Sequence, residues 1–207
     1  MKYFLFKLSL FLLPLGLVFA FPLYLFLISG EFTPVHTVIS LQQKSPSLLY
    51  RLAYDSNTFA YKLGATLLLD PEVLVLGNSR ALQSRGEFFS DQHVFYNAGG
   101  MQSPGDYLRF LEKLPAHSRL KTVVVVGEPA FLTSVAPPDT KQEHISSLEL
   151  FQNFLATGWR EAYQDYWHGK FSFTSISKQR KESQNIGFAA ISTDTGFRRD
   201  GSYRSDR

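Results

Sequence analysis

Three short apolar runs, each broken off by a glycine-containing turn, limit this chain to a parallel α/β sheet more than any other feature. The first lies in Pro71–Ala81, PEVLVLGNSRA, where Val73–Leu76 is halted by Gly77-Asn78-Ser79-Arg80. The second, His93-Val94-Phe95-Tyr96, runs into Asn97-Ala98-Gly99-Gly100, and the third, Lys121–Val126, stops at Gly127-Glu128-Pro129. Continuous rather than alternating apolar runs belong to strands covered on both faces. Between the second and third runs, Ser103-Pro104-Gly105-Asp106 carries an N-cap, a proline at the first helical position and an early acidic residue. Tyr107, Leu108, Leu111 and Leu114 then follow at the spacing of an amphipathic helix, which Pro115 ends. Right-handed βαβ units built this way gather all three turns on one edge of the sheet.

That edge is where open α/β sheets hold ligands, so Ser79 is the candidate nucleophile. A serine hydroxyl needs a base and donors for the developing oxyanion. The competing reading is that Ser79 only caps the helix after it.

The 22 residues from Leu8 to Ser29 carry no charge and predict a transmembrane segment. Val18-Phe19-Ala20 resembles a cleavage site, but the apolar run continues beyond it, which favours an uncleaved anchor over a cleaved signal. Lys2 and Lys7 precede the segment and the next basic residue is Lys44, so the N-terminus is expected in the cytoplasm and the rest on the outer, periplasmic or extracellular, side. The expected organisation is an anchor over 1–30, a polar connector with packing helices over 31–70, and an α/β domain over 71–207. Within the connecting part, Pro46–Leu52 and Phe59–Leu69 both have helical spacing.

Leu148, Phe151, Phe154, Leu155 and Trp159 suggest a further amphipathic helix, broken near Gly158. Gly187–Ile191 reads as a strand, and Gly201–Arg207 as a polar stretch that closes no element. Because that last stretch closes no element, a C-terminally incomplete domain is expected. Hydrophobic residues make up 44% of the 207, enough for a sizeable core, and the absence of cysteine excludes disulfides and thiolate chemistry. The net charge of +3 with one short basic cluster, Lys178–Lys181, gives no nucleic-acid footprint. None of the five histidines has the spacing of a metal site.

Together, strand-Gly77-Asn78-Ser79-Arg80, Tyr96-Asn97-Ala98-Gly99 and the strand ending at Gly127 resemble the SGNH (GDSL-like) hydrolase superfamily. The resemblance is to its membrane-anchored branch of surface-polysaccharide O-acetyltransferase-like and D-alanine transfer proteins, and it covers roughly Pro71 to Pro129. It implies a flavodoxin-like three-layer parallel sheet, Ser79 as nucleophile, and the backbone N–H groups of Ser79 and Gly99 aimed at the oxyanion. The chain departs from the pattern in three places: Asn78 replaces an Asp, the third turn lacks the family's Asn, and the family's Asp-x-x-His base has no counterpart near the end of the domain. Asp165-Tyr166-Trp167-His168 has the right letters, as a catalytic pair or as a chance match on an aromatic helix. The implied activity is that of a serine esterase or O-acyltransferase on acylated surface glycans or other esters, without cofactor or metal. The alternative is a non-catalytic or truncated module that binds a glycan or an envelope assembly partner.

Overall fold

The computed structural model describes residues 2–54, 58–89, 93–101, 103–127, 147–182 and 184–205. Three parallel strands, β1 (Val73–Gly77), β2 (Phe95–Asn97) and β3 (Thr122–Val126), form a sheet in the order β2-β1-β3. Val73 is in register with Phe95 on one side and Thr122 on the other. Every residue of β1 is buried, as a continuous apolar run requires. The chain is thus α/β with a parallel sheet, as its sequence predicts. β3, at one edge of the sheet, departs from the expectation of burial on both faces, and Val125 is 60% exposed.

Helix α3 (Thr58–Leu69) precedes β1, and α4 (Pro104–Glu112) links β2 to β3. The start of α4 is fixed by a capping box, in which the Asp106 N–H donates to the Ser103 hydroxyl and the Asp106 carboxylate accepts the Ser103 N–H. Leu74, Leu76, Tyr96, Phe59 and Phe110 meet in the main core.

Several expectations are corrected. The polar connector contains a helix, α2 (Val35–Lys44), whose Val38, Ile39 and Gln42 are buried, so this stretch belongs to the folded body. Pro46–Leu52 is not helical: Tyr50 bridges in extended form to Ile186 and Phe197, which explains why Leu48, Leu49 and Tyr50 are buried in succession. Gly187–Ile191 is not a strand but the start of a helix over Phe188–Thr193. Its first turn follows Gly187 at φ +96, where a Cβ would lie 2.1 Å from the Arg51 carbonyl oxygen.

The polar C-terminal stretch also closes an element. Tyr203–Arg204 pairs antiparallel with Gly196–Phe197, and the intervening loop seats on the outer edge of β2, where the Asn97 N–H donates to the Asp200 carbonyl. Tyr50 contributes two further bonds to Phe197, one in each direction. The structure therefore finishes the sheet edge with a hairpin whose short, polar pieces carry no periodicity for a sequence reading to detect.

Helix α1 (Lys2–Ser29) differs most from expectation. Proline at 14 and 22 removes backbone donors, and the helix is bent by 50° between Lys2–Pro14 and Gly16–Ser29. No single helix among the described residues is long and apolar enough to cross a membrane, although the bent pair passes that test together. The expected Leu8–Ser29 span is moreover divided. Leu25 and Phe26 are buried in a second apolar cluster with Phe154, Phe171, Phe188 and Ile191. Phe154 belongs to a long helical segment made of α5 (Ser147–Asn153), a π turn (Phe154–Gly158) and α6 (Trp159–Trp167). The predicted break at Gly158 is thus a π turn within a continuing helix, and a Cβ at Gly158 would approach the Phe26 ring to 3.2 Å.

Candidate active site

The turn after β1 depends on Gly77. A Cβ there would lie 2.4 Å from the Val126 carbonyl oxygen and 2.6 Å from the Ala81 Cβ, so β1 can reach the end of β3 only with glycine at its last position. Asn78 then bends the chain, its Oδ1 accepting the Arg80 N–H at 2.9 Å. This leaves the Asn78 side-chain amide, which has no acceptor among the described residues, on the wall of a cavity of about 340 Å³.

Ser79 lies on the same wall and is exposed. Among the described residues its hydroxyl makes no hydrogen bond and its N–H has no acceptor, while its carbonyl accepts the Leu82 N–H. The chain continues into a single 3₁₀ turn, Ala81–Gln83, capped by Arg80 without a side-chain bond. Ser79 therefore does not cap a helix, and the competing reading of this residue falls away.

The second turn is held by Asn97, which is fully buried. Its Nδ2 donates to the carbonyls of Ala81 (2.6 Å) and Ser84 (2.8 Å), tying the loop after Ser79 to the end of β2. Its Oδ1 accepts the Gly99 N–H at 2.7 Å. The N–H expected to face the oxyanion is thus engaged inside the protein. A Cβ at Gly99 would meet Ala81 at 2.7 Å, so glycine here serves close packing of the two turns. Gly100, not Gly99, lines the cavity with Ser79, and its N–H donates to the Gly77 carbonyl at 2.8 Å. Among the described residues the rest of the lining is Leu82, Met101 and Phe197, which are apolar, and Thr58.

Behind this wall lies Lys62, a residue without a motif to mark it in the sequence. It is fully buried, and its Nζ donates to the Asn97 carbonyl at 2.8 Å and to the Gly201 carbonyl. The Phe197 ring centre is 4.3 Å away. Burial lowers the Lys62 pKa to about 7, against a smaller upward pull from Asp200. One signal was present, since Lys62 is the only charged residue in the twelve of α3.

The expected general base is not brought to Ser79. Asp165 sits in α6, where its carboxylate takes the Lys170 ammonium at 2.6 Å and the Tyr54 hydroxyl at 3.2 Å. His168 comes just after the end of α6 and is exposed, and neither residue lines the Ser79 cavity. A histidine and a carboxylate do meet elsewhere, His93 Nδ1 and Glu72 Oε2 at 2.8 Å, but they stand at the entry of β1 and β2, the end opposite Ser79. Lys121, and then His93, hold the Glu72 carboxyl down to about 2. Glu128, Pro129 and His144 lie outside the described residues.

No family model, no curated protein and no solved structure matches the chain significantly.

Proposed function

We propose that the chain is a membrane-associated serine esterase or O-acyltransferase of SGNH type, acting on acylated surface glycans outside the cytoplasm. The observation that carries this reading is Ser79. Its hydroxyl and N–H are both uncommitted among the described residues, at the carboxyl end of the central strand, on the wall of a cavity it shares with the Asn78 amide. The strand order β2-β1-β3 supports it, being the order in which flavodoxin-like sheets begin, with ligands at the strand ends. In the proposed reaction Ser79 Oγ bonds to the ester carbonyl carbon and loses its proton to a base. The C–O bond to the sugar breaks, the sugar oxygen takes that proton, and water or another hydroxyl then removes the acyl group. The Ser79 N–H, as expected of it, and the Asn78 Nδ2, in the place expected of the Gly99 N–H, are the donors for the oxyanion. The uncharged part of α1 associates the body with the bilayer, with Lys2 and Lys7 favouring a cytoplasmic N-terminus.

A specific observation favours the second reading, a non-catalytic SGNH-like binding module. Among the described residues lining the cavity there is no group able to act as general base, and the Gly99 N–H is occupied. A fluorophosphonate probe applied to the full chain in membranes, to Ser79→Ala and to His168→Ala decides between them. Weak labelling lost only with Ser79→Ala is expected. Strong labelling lost in both variants would make His168 the base, and labelling of none would leave the binding module.

A further inference from the structure

Helix α6 packs against α1 over Val18–Phe21. Phe19 packs on Trp159 at 4.9 Å, Phe21 on Tyr163 and Tyr166 at 5.7 Å each, and deeper in the body Phe26 packs on Phe154 at 4.9 Å. The Tyr163 hydroxyl donates to the Val18 carbonyl at 2.8 Å. Tyr166 packs on that same Phe21 and Trp167 follows it directly, so the end of α6 stands beside the part of α1, next to Val18, where burial in the body stops.

From this point α1 leaves the body. Tyr3, Phe4, Phe6, Leu10, Phe11 and Leu13 are all exposed, Tyr3 at 86% and Phe11 at 79%. Trp167 stands at their root 81% exposed, beside the half-exposed Tyr166. Directly after it come His168 and Lys170, the latter paired with Asp165. An apolar projection, two amphipathic aromatic rings at its base and charged groups just behind them reproduce the order of zones met on leaving a bilayer: hydrocarbon, interface, headgroups.

We propose that Tyr166 and Trp167 form a second membrane contact, an aromatic collar at the headgroup level where α1 enters the lipid. The occupant is a lipid surface, because the collar continues the uncharged stretch of α1 that runs from Leu8 into the body. The inference rests on the membrane-association part of the proposed function and is independent of catalysis. It also fixes how the body sits, with the α6 end against the bilayer.

The chain has two tryptophans, so Trp159→Phe leaves Trp167 as the sole reporter in the full protein. That variant is reconstituted into phosphatidylcholine and phosphatidylglycerol vesicles, 3:1, carrying a nitroxide either near the headgroup or deep in the acyl chain. The expected result is quenching roughly twofold stronger from the shallow label than from the deep one, as for other interfacial tryptophans. Stronger quenching from the deep label, or none while the chain still floats with the vesicles, overturns the collar and leaves the anchor standing. Shielding of Trp167 from iodide without lipid quenching would assign the surface to a second copy and also overturn it. A chain that does not float with vesicles would refute both the anchor and the collar.

Discussion

Replacing Lys62 by methionine should remove a pH dependence of stability that the buried ammonium creates. In the unfolded chain Lys62 keeps its proton up to about 10.5, whereas burial lowers its folded pKa to about 7. Between those values the unfolded state holds one proton more than the folded state. Stability therefore rises with pH, by about 1.4 kcal/mol per pH unit. Below pH 7 both states are protonated, and the native structure carries the full cost of the buried charge, on the order of 5 kcal/mol. Its two carbonyl partners offset only part of the lost hydration. Lys62→Met removes the charge but leaves the Asn97 and Gly201 carbonyls without their donor, at about 1–3 kcal/mol each. The single-pH comparison is thus a near balance, and the slope is the decisive quantity. Urea unfolding of the detergent-solubilised proteins, followed by circular dichroism from pH 6 to 9.5, should show the wild type gaining on the variant by about 3 kcal/mol between pH 7 and 9.5. Parallel curves over that range would refute the assignment of Lys62 as a buried, pKa-lowered group.

Two further outcomes test how the turns are held. Asn97→Ala should cost about 2–4 kcal/mol, because the Ala81 and Ser84 carbonyls and the Gly99 N–H all lose their partner; thermal unfolding measures it, and a loss under about 1 kcal/mol would show that these groups find other partners. Gly201→Ala should unseat the C-terminal hairpin, since φ is +78 and a Cβ would lie 2.1 Å from the Asn97 carbonyl oxygen; limited proteolysis should then cut within 196–205 well before the wild type is cut.

The sequence by itself determined the sheet and the place of its turns. Val73–Leu76 could be read as a central strand because burial on both faces demands a continuous apolar run, and Ser103–Asp106 announced a helix start because capping is local chemistry. It also placed Ser79 at a strand end, since a strand followed by Gly-Asn-Ser leaves few conformations open. Only the tertiary structure decided which groups there are free. That the Gly99 N–H is committed follows from Asn97, whose side-chain and backbone bonds to Ala81, Ser84, Gly99, Lys62 and Asp200 join segments up to 103 residues apart in the chain. The same holds for α1. Its apolar run predicted a membrane helix, but apolar surface is equally satisfied by lipid and by protein, and the choice for Leu25 and Phe26 rests with Phe154, Phe171 and Phe188, all supplied from more than a hundred residues away. Hydrophobicity is non-directional, so composition states that a surface must be covered, while the three-dimensional arrangement alone states by what.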